Sequence, residues 1–361
     1  MPTITEVSEC ITMVSIETFF VCLICAVLTG LLCLLAMRIC TGLGLIDIPD
    51  ARKRHRQPTP LAGGLALALI ALPMSTVLAI FGTPPSMRAS LLLFVGATMA
   101  MVLLGLEDDR SSLSARNRLV LSIVIFVSVA MFDPLFNIRQ LRFTVPMLEI
   151  GMGIAPVGFA FTTLCCVGLV NAVNMADGKN GLVIGLCIGW LAMLAMRAPP
   201  FLLPQVLLLV ASLLSLLFFN LRGRIFLGDG GVYGFACAIG LLTIATYNSP
   251  GSIGRHALAG EEIMLLFGLP ILDSFRLTYS RLRRGQSPMA ADRDHFHHHL
   301  QAKLGWPKGL IAYLLLALIP SLLGFTGIIQ PSISLALMTL LYVSIIYVTR
   351  DQPSLKSASD C

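Results

Sequence analysis

Charged residues are scarce in this chain: they make up 12% of its 361 residues, whereas hydrophobic residues make up 56%. A soluble globular domain usually carries about 25% charged residues. Together with a mean hydropathy of +0.86, this composition excludes an ordinary water-soluble domain, a disordered chain and a nucleic-acid-binding module. The lipid bilayer is therefore the expected environment of the chain.

The sequence also lacks the usual signs of disulfides, structural zinc and secretion. Most of the ten cysteines lie inside apolar runs, where cysteine behaves as a small hydrophobic residue. Cys22 and Cys25 have the local spacing of a zinc site, but no second pair accompanies them. The first residues carry Glu6, Glu9 and Glu17 and no Lys or Arg, so we expect no cleavable signal peptide.

Long apolar runs are what the sequence has instead. At this length in lipid, only a helix satisfies its own backbone hydrogen-bonding groups. The sequence therefore predicts an all-α, polytopic integral membrane protein with about eleven transmembrane helices. Residues 1–361 are expected to form a single transmembrane domain, with helices from about 19 to 349 and short polar tails. The predicted spans lie at about 19–40, 61–82, 89–106, 119–132, 153–173, 181–197, 201–219, 230–247, 261–279, 309–329 and 332–349.

The positions of the basic residues predict the orientation of these spans, because Lys and Arg concentrate on the cytoplasmic side of a membrane. With the N-terminus outside and the C-terminus inside, 20 of the 25 basic residues fall on the inner side. The remaining five fall outside: Arg88, Arg139, Arg142, Arg197 and Arg255. On the outer side, segment 136–150 alternates weakly around Pro146 and is predicted to form a short hairpin.

Polar groups at membrane depth are costly, so clusters of them indicate function. The first of four clusters is GLEDDR at 105–110, where Asp108 and Asp109 follow Glu107. Carboxylates this close repel one another, which calls for a nearby cation or for a raised pKa on one of them. The alternative is a hydrophilic helix end that marks the membrane interface.

The second cluster is NAVNMADGKNGL at 171–182. Asn171, Asn174 and Asp177 are spaced by three residues, which places them on one face of a helix. Oxygen ligands beside a glycine-containing turn suit a hard cation such as magnesium. The alternative is a polar loop with an asparagine cap.

The third cluster is FLGDGG at 226–231, where glycines flank Asp229 at the predicted start of a helix. The bare amides of a helix N-terminus bind anions, and Asp229 would reach such an anion through a cation. The alternative is a simple aspartate cap on the helix.

The fourth cluster is DRDHFHHHL at 292–300, which holds four of the six histidines. Its spacing is too compact for four ligands to reach one zinc ion. A cradle of cations and hydrogen-bond donors for phosphate groups is favoured over a solvated polar loop. All four clusters fall on the predicted inner side, and together they indicate a diphosphate site at the membrane surface.

These four clusters, in this order, resemble the motifs of the polyprenyl-phosphate N-acetylhexosamine-1-phosphate transferases, glycosyltransferase family 4. The paired aspartates, the NxxNxxDGxxGL motif, the FLGDxG motif and the HxHH loop are all present, and the loop 47–64 is also similar. The resemblance covers roughly residues 45–305 and points to the WecA-like branch. The chain departs from the family pattern at Val232, Glu107 and His299.

The resemblance implies transfer of N-acetylhexosamine-1-phosphate, with GlcNAc-1-phosphate as the default, from a UDP-N-acetylhexosamine to undecaprenyl phosphate. UMP is released, and a lipid-linked cell-surface polysaccharide such as O-antigen is initiated. The implied cofactor is Mg²⁺, with Mn²⁺ as the alternative cation. The resemblance places the metal at Asp229 and Asn174, and the catalytic acids at Asp108, Asp109 and Asp177. It implies substrate binding by Arg118 (lipid phosphate), Asn180 (nucleotide) and His295, His297 and His298 (donor diphosphate).

The expected location is the bacterial cytoplasmic (inner) membrane, with the active site on the cytoplasmic face. The expected partners are both substrates and the bilayer, without nucleic acid, and a homodimer is left open. Three other functions compete: a phospho-muramyl-pentapeptide transferase of peptidoglycan synthesis, a secondary transporter and a membrane scaffold. A transporter would carry its polar groups near the midplane rather than at helix ends.

Overall fold

The computed structural model of the protein describes residues 4–49, 57–145, 148–249, 258–287 and 294–349. Within this part of the chain, ten helices are long and apolar enough to cross a membrane, which confirms the all-α, polytopic membrane class. In chain order the helices are α1 (Ile4–Leu43), α2 (Gly63–Phe81), α3 (Pro85–Ser111), α4 (Ala115–Phe132), α5 (Gly158–Ala176), α6 (Leu182–Ala195), α7 (Leu203–Asn220), α8 (Gly228–Asn248), α9 (Gly260–Arg283), α10 (Phe296–Leu304), α11 (Lys308–Phe325) and α12 (Pro331–Thr349).

The count of eleven spans is not confirmed, because one predicted span forms a short helix. Helix α6 has 14 residues, which gives a length of about 21 Å, less than the ~30 Å of a hydrocarbon core. Helix α4, which the apolar run places at 119–132, begins earlier, at Ala115. Its extra turn is capped by Ser114, whose hydroxyl accepts a hydrogen bond from the Asn117 amide at 3.2 Å.

Four short strands form two antiparallel pairs. Strands β1 (Ile46–Asp47) and β2 (Thr59–Pro60) pair at the end of α1. Strands β3 (Gln140–Val145) and β4 (Leu148–Gly153) confirm the predicted hairpin. It starts later than predicted because Asp133 caps a 3₁₀ turn over Pro134–Phe136, accepting a hydrogen bond from the Leu135 amide at 2.9 Å.

Helix α8 lies at the centre of the bundle. Every residue from Gly230 to Tyr247 is buried, and α2, α3, α5 and α6 pack around it. Small residues allow this close approach: a Cβ atom at Gly234 would lie 2.4 Å from the Val102 side chain. Between membrane helices, such packing of small residues takes the place of the hydrophobic effect.

The two ends of α8 meet different structures. At its C-terminal end, the Tyr247 hydroxyl donates to the Gln140 carbonyl at 2.9 Å and accepts from the Arg142 amide at 2.7 Å, which fixes the hairpin there. Asp229 lies 18 residues earlier, a distance of about 27 Å along a helix. The hairpin and the FLGDGG turn therefore lie at opposite ends of a helix of membrane-spanning length.

Candidate active site

The two neighbouring aspartates at the end of α3 have different surroundings. Asp108 is 5% exposed, and both of its oxygens are occupied. Oδ1 accepts from the Leu113 amide at 2.9 Å, while Oδ2 accepts from Arg118 at 2.9 Å and from the Tyr233 hydroxyl at 2.8 Å. Asp108 is therefore held in an internal network, in which Arg118 supplies the compensating charge that the acidic cluster required.

Asp109 binds the N-terminus of α8. Its Oδ1 accepts from the amide of Asp229 at 2.8 Å, and its Oδ2 accepts from the amide of Gly230 at 3.0 Å. The sequence predicts an anion at these helix amides, and in this structure the anion is the carboxylate of Asp109. This contact joins the first and third sequence clusters directly.

Glycines make this junction of α3 and α8 sterically feasible. Gly228 has a positive φ of 72°, and a Cβ atom there would lie 2.8 Å from Asp109 Oδ2. A Cβ atom at Gly105 would lie 2.3 Å from the Asp229 carbonyl oxygen. The FLGDGG turn is also held by loop 59–62, because Phe226 exchanges backbone hydrogen bonds with Pro60 and Ala62.

The second cluster approaches the same place from the end of α5. Asn171 donates to the carbonyl of Val167 in its own helix at 2.8 Å, and Asn174 is half-buried. The helix ends at Ala176, and Asp177 follows it with an exposed side chain.

The electrostatics of the aspartates confirm that the clusters converge. Desolvation by the surrounding protein, followed by the negative charge of Asp109, raises the pKa of Asp177 to about 7. The charges of Asp108, Asp109 and Asp177 all act on Asp229. Carboxylates gathered in this way repel one another, so this cluster of aspartates attracts cations.

The histidine cluster packs against the turn that follows Asp177. A Cβ atom at Gly178 would lie 2.4 Å from Nε2 of His297, so the imidazole lies directly on the backbone of the second cluster. His297 is 2% exposed, and its Nε2 has no hydrogen-bond partner in the described part of the chain. Burial lowers the pKa of His297 well below its usual value, as do the neighbouring charges of His298 and His295. The ring is therefore neutral at pH 7.

The other histidines differ in their roles. The His295 ring stacks on the His297 ring with centroids 5.4 Å apart, and the His298 ring lies 4.3 Å from that of His297. His299 is buried instead, with its nitrogens 2.9 Å from the Thr349 hydroxyl and 2.8 Å from Asp294. The extra histidine of the run thus fixes the loop, and the other three remain candidates for binding.

Asn180 and Arg118, the other two predicted substrate-binding residues, contact different parts of the molecule. The carbonyl oxygen of Asn180 accepts from the Trp306 indole at 3.2 Å. The next turn is fixed because the Gly181 amide donates to the Asn220 side chain at 2.6 Å. The Arg118 side chain is 31% exposed, and only its Nη1 is hydrogen-bonded within the described residues.

Three residues of the site are absent from the sequence-based prediction: Tyr233, Asn220 and Asp273. Asp273 holds the histidine loop, because its Oδ2 accepts from the Phe296 amide at 3.1 Å and lies 3.5 Å from Nδ1 of His295. An acid inside the apolar run of α9 is a detectable signal. For Tyr233 the only signal is its position one helical turn after Asp229, and Asn220 gives none.

The aspartate cluster fits a hard divalent cation as far as donor chemistry is concerned. The Asp229 and Asp177 carboxylates lie within electrostatic reach of each other, and both are oxygen ligands. Among the residues that the structure describes, no three His, Cys, Asp or Glu side chains are arranged as a ready metal site. Mg²⁺ often binds through one or two carboxylates and takes its other ligands from water and substrate phosphates, so these two findings are compatible.

Comparison with known proteins agrees with this geometry. Residues 91–247 match the sequence model of a family described as Glycosyl transferase family 4. That stretch includes Asp108, Asp109, Asp177 and Asp229, but not the histidine loop.

Individual relatives match over most of their length. The undecaprenyl-phosphate alpha-N-acetylglucosaminyl 1-phosphate transferase of Escherichia coli (strain K12) is 26% identical over 310 residues, covering 83% of this chain and 80% of the relative. The protein of the same name from Salmonella typhi is 28% identical, with coverage of 91% and 84%. A probable undecaprenyl-phosphate N-acetylglucosaminyl 1-phosphate transferase of Bacillus subtilis (strain 168) is 29% identical, with coverage of 73% and 72%. These matches confirm the resemblance that the four motifs indicate.

Proposed function

We propose that this chain is a glycosyl transferase of family 4 that transfers GlcNAc-1-phosphate from UDP-GlcNAc to undecaprenyl phosphate. The observation that carries the proposal is the convergence of four distant motifs. Asp109 binds the N-terminus of α8, the charge of Asp177 acts on Asp229, and His297 packs against Gly178. The names of the relatives supply the acceptor, undecaprenyl phosphate, and the transferred group, and the UDP-linked donor is our inference. The product, undecaprenyl diphosphate-GlcNAc, would initiate a cell-surface polysaccharide such as O-antigen.

In the reaction, an oxygen of the lipid phosphate forms a bond with the sugar-bearing phosphorus of the donor. The bond between that phosphorus and the bridging anhydride oxygen breaks, and UMP leaves with the electron pair. A phosphate monoester has a second pKa of about 6, so the nucleophile is largely dianionic at neutral pH and needs little help from a base. Such chemistry depends mainly on positioning and on neutralising charge.

We assign the following roles to the chain's own residues. Arg118 would bind the lipid phosphate with the N–H groups that remain open. His295, His297 and His298 are assigned to the donor diphosphate. Asp177 would orient the attacking phosphate or take up its last proton, because its pKa lies near 7. Asn180 is assigned to the nucleotide.

Asp229 and Asn174 would hold Mg²⁺, or Mn²⁺ in its place. When bound, the cation would neutralise charge on the diphosphate and on the leaving UMP. Asp109 would act on the same group indirectly, since it fixes the backbone of Asp229 through two amide hydrogen bonds.

We place this site on the cytoplasmic face of the bacterial inner membrane. The motifs lie at helix ends, about 27 Å of helix away from the outer hairpin, and the predicted inner side carries most of the Lys and Arg. With the short α6 counted as an eleventh crossing, the N-terminus lies outside and the C-terminus inside. UDP-sugars are cytosolic, which agrees with this orientation.

The test is a donor panel with the purified full chain, undecaprenyl phosphate and Mg²⁺. We expect UDP-GlcNAc to give UMP and lipid-linked product in equal amounts. Efficient use of UDP-GalNAc instead would change the assigned sugar, and use of UDP-MurNAc-pentapeptide would place the chain in peptidoglycan synthesis. Folded protein that releases no UMP with any of the three donors, but moves a solute across proteoliposomes, would overturn the proposal in favour of a transporter.

A further inference from the structure

Tyr233 connects Asp108 and Arg118 through one hydroxyl group. This hydroxyl donates to Asp108 Oδ2 at 2.8 Å and accepts from Arg118 Nη1 at 3.3 Å. The same Nη1 donates to Asp108 Oδ2 at 2.9 Å. The three groups form a closed ring of hydrogen bonds between α3, α4 and α8.

The ring constrains the plane of the Arg118 guanidinium. Nη1 donates to oxygens of two different residues, Asp108 and Tyr233. The guanidinium is planar, so holding Nη1 between two acceptors restricts the directions of the remaining N–H groups. With Asp108 alone, the group would keep one contact and could rotate about it.

The open part of Arg118 suits a phosphate. Its Nε and Nη2 have no hydrogen-bond partner among the described residues, and the side chain is 31% exposed. Two parallel N–H groups form the bidentate arrangement with which arginine binds phosphate. Tyr233 itself is buried, at 4% exposed, so its hydroxyl reaches the phosphate only through Arg118.

We propose that Tyr233 is a positioning residue for the lipid substrate, whose hydroxyl orients Arg118 toward the phosphate monoester. This inference rests on the proposed transferase function, and it names a side chain that, with Asp108, aligns the lipid-phosphate receptor. It also separates the two substrates, because the hydrogen bonds of the ring reach no described residue of the histidine cluster.

The test is the pair Tyr233→Phe and Tyr247→Phe. Both remove one hydroxyl from α8, and Tyr247 serves as the control because its hydroxyl binds the outer hairpin at the other end of the helix. A hydrogen bond to a charged group corresponds to roughly a tenfold change in affinity. For Tyr233→Phe we therefore expect KM for undecaprenyl phosphate to rise roughly tenfold, with KM for UDP-GlcNAc unchanged. Tyr247→Phe should leave both unchanged.

Equilibrium binding of undecaprenyl phosphate without donor gives a second measurement that does not depend on turnover. In the Arg118→Ala background, Tyr233→Phe should weaken binding no further, because its effect passes through Arg118. Binding of undecaprenol, which lacks the phosphate, should be the same in all variants.

Three results would overturn the inference: unchanged KM values in Tyr233→Phe, an equal rise in both KM values, or an undiminished effect of Tyr233→Phe in Arg118→Ala. Retained affinity for UDP-GlcNAc shows that a variant is folded. If the unmodified chain fails to transfer any sugar phosphate but still binds undecaprenyl phosphate with this dependence on Tyr233, the proposed reaction fails and the positioning role stands.

Discussion

Asp108 and Asp109 are adjacent in sequence, yet their carboxylates meet different partners. Asp108 is bound to Arg118 and Tyr233, whereas Asp109 accepts two amide hydrogen bonds from α8. The sequence predicts that both aspartates are functional, but it does not predict that they bind different partners. Nothing local in GLEDDR indicates amides 120 residues away.

Replacing Asp109 with alanine should destabilise the protein as well as impair transfer. The substitution leaves the Asp229 and Gly230 amides without their acceptor, and loss of a helix N-cap costs about 1 kcal/mol. We expect a lower thermal midpoint in detergent and a large loss of activity. Glu107→Ala is the matched control, because this exposed acid lies on the same helix end. Equal thermal midpoints for the two variants would contradict the capping role.

Asp229→Ala should abolish transfer while the protein still inserts into the membrane. The carboxylate is the proposed main ligand of the cation, and losing it should reduce kcat by at least about a hundredfold. Excess chelator should reduce wild-type activity in the same way, and added Mg²⁺ should restore it. Near-normal turnover in the variant, or full activity in chelator, would refute the metal assignment.

The pKa of Asp177, about 7, predicts a pH dependence. Desolvation by the surrounding protein and the charge of Asp109 favour the protonated form, so the ionised fraction increases as the pH rises through 7. Only the carboxylate attracts a cation or accepts a proton, so kcat/KM at limiting Mg²⁺ should rise from pH 6 to 8 and then level off. Asp177→Asn should lack this rise and retain only the step near pH 6 that belongs to the lipid phosphate. An identical profile in wild type and variant would refute the role.

At the level of secondary structure, apolar runs predict well where the helices lie. They predict less well where a helix ends, because its last residues can be polar. The run at 89–106 becomes α3 (Pro85–Ser111), because the chain continues its helical hydrogen bonds through GLEDDR. Helix α10 lies in a segment with little hydrophobic signal, and Asp273 and the packing of Phe296 hold it in place. Such tertiary contacts cannot be inferred from one sequence.

The junction of α3 and α8 provides a test within one helix. Gly105→Ala would place a methyl group 2.3 Å from the Asp229 carbonyl oxygen, whereas Gly96→Ala meets nothing within 4 Å. We expect Gly105→Ala to separate the two helices and to lower both the thermal midpoint and the activity. Gly96→Ala should be neutral or slightly stabilising, because alanine favours a helix over glycine. Equal effects of the two substitutions would show that the helices do not meet as described.

At the level of the whole molecule, the predicted orientation can be tested by chemical labelling of introduced cysteines. Met152 in the hairpin and Glu107 near the acidic cluster are both exposed. With a membrane-impermeant maleimide on intact cells, we expect labelling of Met152→Cys above the parent chain, and none above it for Glu107→Cys. Inverted vesicles should give the opposite result. Labelling of both positions from one side would contradict the orientation.

The central position of α8 also bears on how the protein is made. The helices that pack most closely around it, α2, α3, α5 and α6, all precede it in the chain. When ribosomes release α8 into the bilayer, its neighbours are already present, and it never has to face lipid alone. The acidic clusters can thus come together during translation, before the histidine loop has been synthesised.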